Sequence, residues 1–127
     1  MTVGLVVVSH SKRAAEGIRE IAAEMAGDTR IEAVGGDGQG GIGTVPDAIG
    51  DALATVDGDD GVVVLVDLGS AVMNADVAIE MSDADAVIAD APVLEGTVNA
   101  AVAATDPNAT MASVRDQAEA ARDIEKL

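Results

Sequence analysis

Two stretches of this chain, Val3–Val8 (VGLVVV) and Val62–Val66 (VVVLV), carry no polar side chain. Alternating polar and apolar residues mark a strand with one wet face. An unbroken run of valine and leucine marks a strand covered on both faces, and the usual cover is a layer of helices on each side of a parallel sheet. The rest of the sequence alternates in step with that demand. Ser11–Ala26 puts Ala14, Ile18, Ile21 and Met25 on one helical stripe, surrounds them with Glu16, Arg19, Glu20 and Glu24, and stops at Gly27. Ile31–Val34 reads as a short strand and runs into the glycine-rich GGDGQGGIG. Thr44–Asp47 carries a capping-box signal with Pro46 in the first turn, and Val45, Ile49, Ala52, Leu53 and Val56 form the next stripe. After the turn DGDDG, Val62–Val66 is the expected centre of the sheet. Ser70–Met81 reads as a helix with Val72, Met73, Ala75 and Ile79 among its apolar residues. Met73, Met81 and Met111 are expected to fill the core. Ala86–Ala89 is the last strand. Helices are expected over Gly96–Ala104 and Pro107–Lys126, the latter opening on Asp106-Pro107. The predicted class is α/β, an open parallel sheet of about four strands with helices on both faces, in a single domain over residues 1–127.

The core has to be assembled without Phe, Tyr or Trp, all of which are absent. Cys is absent too, which closes thiolate catalysis, disulfides and cysteine-based metal sites. The 23 acidic residues against 7 basic ones leave a net charge of −16, and Lys12 and Lys126 are the only lysines. Nucleic acid is excluded as a partner, since phosphate backbones require clustered cations and stacked bases require aromatic rings. High acidity often signals disorder, yet here it accompanies a regular apolar pattern. Adaptation to high salt fits that combination, because a carboxylate-rich surface stays hydrated while its self-repulsion is screened; an ordinary acidic protein is the alternative. The apolar segments are too short, or too often interrupted by acids, to span a membrane or serve as a signal peptide, so a cytoplasmic location is expected.

In an open parallel sheet, chemistry gathers beyond the carboxyl ends of the strands, where the strand order reverses. Four loops reach that edge: SHS, GGDGQGGIGT, DLGS and DAPVLEG. The only histidine, His10, ends the first strand and precedes a helix whose N-terminus favours an anion. On position alone, two readings stand: a partly exposed turn histidine, or a nucleophile that carries a phosphoryl group on one nitrogen while a carboxylate holds the other as N–H. Asp67, at the end of the central strand, is either that carboxylate or a helix-capping acid. The glycine-rich loop contains a formal G-x-G-x-x-G at Gly36, Gly38 and Gly41, but after the second strand rather than the first, and no G-K-[ST] follows. It is a poor nucleotide site; a flexible turn and an anion-cradling wall beside His10 both remain, with Thr44 offering a hydroxyl and an N–H. A receiver-type phosphoaspartate at Asp67 would need an acidic pair after the first strand and a lysine after a later one, where this chain has Ser9-His10 and Asp90-Ala91-Pro92. A single histidine and unpatterned acids give no metal site.

The segments VVSHSK, GGDGQGGIGT, LVDLGSAVMNAD and DAPVLEG together resemble the phosphotransfer subunits of phosphoenolpyruvate-dependent dihydroxyacetone kinases, relatives of the mannose-family IIA domains of the sugar phosphotransferase system. The resemblance runs through essentially the whole chain and implies a mannose-IIA-like fold and a phosphohistidine carrier. It assigns His10 as the phosphorylated residue, Asp67 as the carboxylate that orients it, and Ser11, Gly43, Thr44, Gly69 and Ser70 to the phosphoryl pocket. It implies HPr as donor and ADP, held with magnesium on the kinase's nucleotide-binding subunit, as acceptor. A further subunit binds dihydroxyacetone, and this chain holds no cofactor of its own. Relatives that append HPr-like and enzyme-I-like domains continue beyond the point where this chain ends, at Leu127, so separate donor proteins are expected. A homodimer is implied as well. A mannose-type sugar IIA component, or a regulatory phosphohistidine module, is the alternative. Val72, Met73 and Leu94 are candidate apolar contacts for a docking partner.

Overall fold

The computed structural model of the protein describes residues 3–127. In chain order the elements are β1 (Gly4–Ser9), α1 (Lys12–Met25), β2 (Ile31–Gly35), α2 (Pro46–Val56), β3 (Val62–Val66), α3 (Gly69–Glu80), β4 (Ala86–Ile88), α4 (Val93–Ala103) and α5 (Met111–Ala120), closed by a 3₁₀ turn over Ala121–Asp123. The four strands form one parallel sheet in the order β2-β1-β3-β4. β1 and β3 are neighbours at its centre, with Val8 opposite Val66. Their side chains alternate between two cores. Leu5, Val7, Val63 and Leu65 meet Ala22, Ala100, Ala101, Val114 and Ala118 of α1, α4 and α5. Val6, Val8, Val62, Val64 and Val66 meet Ile49, Leu53, Ala71 and Ala75 of α2 and α3. The two uninterrupted apolar runs are therefore covered on both faces, as α/β layering requires. Among the described residues, no helix is long and apolar enough to cross a membrane.

α2 packs on the sheet with Ile49, Leu53 and Val56, but α1, α3 and α4 meet it through their small residues. α1 buries Ala15 and Ala22, so the expected stripe of Ala14, Ile18, Ile21 and Met25 is displaced: Ile18 packs against the core, while Ala14, Ile21 and Met25 are exposed. α3 buries Ala71, Ala75 and Ala78, which leaves Met73 71% and Met81 79% exposed rather than in the core; only Met111 packs against it. Without aromatic rings to fill space, the gap between a valine sheet and its helices closes by approach of alanine faces, and bulkier residues one position away are turned outward. At Gly96 of α4 a Cβ would stand 2.8 Å from the Ala91 Cβ, so the turn leading into this helix folds back on it where a side chain would not fit.

Two helix boundaries also differ from expectation. α4 begins at Val93 behind Pro92, a full turn before Gly96, because proline sits readily at a helix start while glycine does not mark one. The last helix opens not on Asp106-Pro107 but at Met111, where Thr110 and Ser113 form a reciprocal capping box, and it ends at Ala120 instead of running to Lys126. Asp106 accepts from the Asn108 N–H at 2.8 Å, which fixes the preceding residues as a turn.

Candidate active site

The strand order places the reversal point between β1 and β3, since β1 continues to β2 on one side and β3 to β4 on the other. The turns leaving these two strands carry His10 and Asp67, and the structure brings them together. Asp67 Oδ1 lies 2.9 Å from His10 Nδ1 and accepts the Leu68 N–H at 2.7 Å. Asp67 Oδ2 accepts the His10 backbone N–H at 3.0 Å and the Ser9 hydroxyl at 2.9 Å. Partial burial raises the Asp67 carboxyl pKa, but the hydrogen bonds from His10, Ser9 and Leu68 together outweigh it and hold the pKa below the ordinary value. An ionised carboxylate only accepts, so Nδ1 is the nitrogen that carries the proton, and in the neutral ring Nε2 keeps its lone pair. The Ser70 hydroxyl, at 2.6 Å, donates to that lone pair. Both His10 and Asp67 side chains are 19% exposed, shielded yet reachable.

The other expected site residues divide by task. Ser11 is the N-cap of α1, its hydroxyl accepting the Ala14 N–H at 3.2 Å. Gly69 opens α3 behind Leu68, with no side-chain cap, so the helix presents its uncapped N-terminus beside Ser70 and His10. Gly43, with φ +150°, donates its N–H to the His10 carbonyl at 2.9 Å, so that N–H braces the histidine turn and does not face an anion. The same holds for much of the glycine-rich loop. Asp37 Oδ1 accepts the Gln39 and Gly41 N–H groups at 2.8 and 2.9 Å, and those two bonds, in that order, lower the Asp37 carboxyl pKa. Thr44 does not cap α2, whose N-cap is Val45 without a side-chain bond; the Thr44 hydroxyl instead accepts from Asn74 Nδ2. DAPVLEG engages the C-terminal segment, with Asp90 bonded to Arg122 at 3.0 Å and Glu95 to Lys126 at 2.6 Å. Val72 and Leu94, offered as docking contacts, are half-buried, and Met73 is exposed.

Sequence reasoning missed two residues. Ser9, 2% exposed, donates to Asp67 and accepts the Ser11 N–H at 3.1 Å, a role hidden because a strand-end serine has no distinctive spacing. Asn74 gave one faint signal: it is a polar residue four positions after Ser70, hence on the same face of α3. Among the described residues, no three His, Asp or Glu side chains converge to hold a metal ion.

Residues 4–120 match the model of the EIIA-man family, described as the PTS system fructose IIA component. The chain belongs to this family. The EIIA-man chain is 39% identical over 105 residues to the phosphoryl donor subunit DhaM of PEP-dependent dihydroxyacetone kinase 2 from Listeria innocua, covering 79% of this chain and 84% of that one. It is 36% identical over 119 residues to the phosphotransferase subunit DhaM of the PTS-dependent dihydroxyacetone kinase of Lactococcus lactis, covering 94% and 95%. Among solved structures, a protein of unknown function superposes with a TM-score of 0.82 at 29% identity over 94% of each chain. The mannose/sorbose-specific IIA subunit from Enterococcus faecalis superposes at 0.54 and 20% identity, covering 100% of this chain and 99% of that one, which shows the fold alone.

Proposed function

We propose that this EIIA-man chain is the phosphoryl-carrying subunit of a dihydroxyacetone kinase, with the phosphoryl group carried on His10 Nε2. The observation that supports it most directly is the Asp67 carboxylate on Nδ1, which leaves Nε2 as the nucleophilic nitrogen. In the forward step the Nε2 lone pair attacks phosphorus on a phosphohistidine donor, HPr in this reading. The Nε2–P bond forms as the donor's N–P bond breaks, and the electron pair of that bond stays on the donor's ring. The positive charge arising on the His10 ring is matched by Asp67 through the retained Nδ1–H. Onward transfer to ADP on the partner kinase subunit reverses this: a phosphate oxygen takes the phosphorus, and the Nε2–P electron pair returns to the ring.

Ser70 occupies the Nε2 lone pair at rest, so its hydroxyl rotates away as phosphorus arrives and then donates to a phosphoryl oxygen. The uncapped start of α3 adds a positive partial charge at the same place. Lys12 and Arg13, in the first turn of α1, take part in no ion pair among the described residues and stand where the helix dipole disfavours cations, a placement that suits a nearby dianion. The relatives at 36–39% identity favour the dihydroxyacetone kinase branch over a mannose-type sugar component.

Incubation with phosphorylated HPr is expected to give an acid-labile, base-stable adduct that a His10→Ala variant does not form. Adding ADP, dihydroxyacetone and the two kinase subunits is expected to yield dihydroxyacetone phosphate. Label persisting in His10→Ala would move the phosphoryl group to another residue, and label without sugar phosphate would favour a regulatory or mannose-type role.

A further inference from the structure

Three segments meet around His10 and are tied in a ring. The His10 carbonyl receives the Gly43 N–H at 2.9 Å, and His10 Nε2 receives the Ser70 hydroxyl at 2.6 Å. Asn74 stands four residues beyond Ser70, about 6 Å along the same face of α3. Its Nδ2 donates to the Thr44 hydroxyl at 2.5 Å and, more weakly, to the Thr44 carbonyl at 3.3 Å. Thr44 follows Gly43 directly, so the ring runs His10, Ser70, Asn74, Thr44, Gly43 and back to His10. Both Thr44 and Asn74 are half-buried.

An amide N–H₂ only donates, so it compels the Thr44 oxygen to act as acceptor on that side and leaves the hydroxyl proton to point elsewhere. Thr44 is held against Asn74, one helical turn from Ser70, and follows Gly43, whose N–H sits on the His10 carbonyl, so its hydroxyl belongs to the same ring of segments that surrounds Nε2. We infer that Asn74 is a positioning residue for phosphoryl transfer: it sets the Thr44 hydroxyl as a hydrogen-bond donor to a phosphoryl oxygen, alongside the Ser70 hydroxyl. The inference deepens the phosphocarrier reading of His10 and rests on it. No bond of Asn74 is made or broken in the reaction. Its effect lies in orienting a donor toward charge that shifts in the transition state.

Single-turnover labelling with phosphoramidate, a small phosphoryl donor that needs no protein docking, tests the inference on the intact chain. Asn74→Ala is expected to slow labelling about tenfold, the size of one hydrogen bond to a charged group. Asn74→Asp, which keeps the shape but accepts the Thr44 proton, is expected to slow it at least as much, and carries the test if the alanine variant does not fold. Thr44→Ser is expected to stay near the wild-type rate and Thr44→Val to fall with Asn74→Ala. The double variant Thr44→Val/Asn74→Ala is expected to match the slower single one. The ¹⁵N shifts of the His10 ring in the unphosphorylated variants are expected to stay at wild-type values, as a general loosening of the site would not allow. Wild-type rates in Asn74→Asp, or two effects that multiply in the double variant, would overturn the role of Asn74. Wild-type protein that labels no faster than His10→Ala would instead overturn the phosphocarrier reading itself.

Discussion

Asp67 receives four hydrogen bonds on two oxygens, three from the SHS turn and one from the Leu68 N–H just past its own strand, and this makes it the residue on which the site depends. Asp67→Asn removes the charge that matches the His10 ring and frees the tautomer, so phosphoryl transfer is expected to slow by about 10²-fold in rapid-quench measurements. The same variant predicts a pH signature. Because the folded carboxyl titrates below its unfolded value, its contribution to stability is complete above the ordinary aspartate range and is lost as pH falls through the lower, folded value. The gap between wild-type and Asp67→Asn urea midpoints is therefore expected to be constant from neutral pH to about 5 and to close in strongly acid solution. A gap that widened on acidification would mean that the carboxyl is not held ionised by these bonds. At this scale the sequence made the pairing of His10 with Asp67 legible, since both end apolar runs. It left Ser9 and Asn74 unread, because their partners lie 58 and 30 residues away.

The β1–α1 turn shows how an element can depend on another strand's lack of a side chain. A Cβ on Gly35, at the end of β2, would stand 2.6 Å from the Ser9 carbonyl oxygen and 2.8 Å from that of Ser11. Both flank His10, so the histidine turn crosses β2 where only glycine gives room. Gly35→Ala is expected to cost about 1–3 kcal/mol, read from urea midpoints, and to move the His10 ring ¹⁵N shifts as the turn is pushed off Asp67. Unchanged shifts together with full stability would show that the turn yields at no cost. The helices carry the complementary lesson. Apolar periodicity located α1, α2 and α3 within a residue or two, yet for α1 and α3 the buried face is alanine, which hydropathy ranks below the isoleucine and methionine beside it.

Over the whole molecule, a net charge of −16 dominates behaviour at low salt. The Debye length shrinks from about 30 Å at 0.01 M to about 3 Å at 1 M, so repulsion across the surface gives way to repulsion between near neighbours. The denaturation midpoint is expected to rise with KCl. Around His10, meanwhile, Ile42 of the glycine-rich loop and Leu68 and Met73 at the start of α3 are exposed, a distribution suited to apolar docking that salt does not weaken. Transfer from a cognate donor is therefore expected to persist in molar KCl. A midpoint that falls with salt, or transfer that collapses while the fold persists, would overturn this account.

Read by itself, the sequence determined the parallel sheet and its two-sided cover, and it placed His10 and Asp67 at one edge as candidates to face each other. Each of these follows from local patterning: fully apolar strands demand helices on both sides, and strand ends deliver whatever polar residue comes next. Tertiary structure alone decided which helix faces turn inward, where α4 and α5 begin, and that Thr44 answers to Asn74 instead of capping α2. Those outcomes depend on the distance between packed layers and on partners remote in the chain. A one-dimensional period records how often apolar residues recur, and it carries neither quantity.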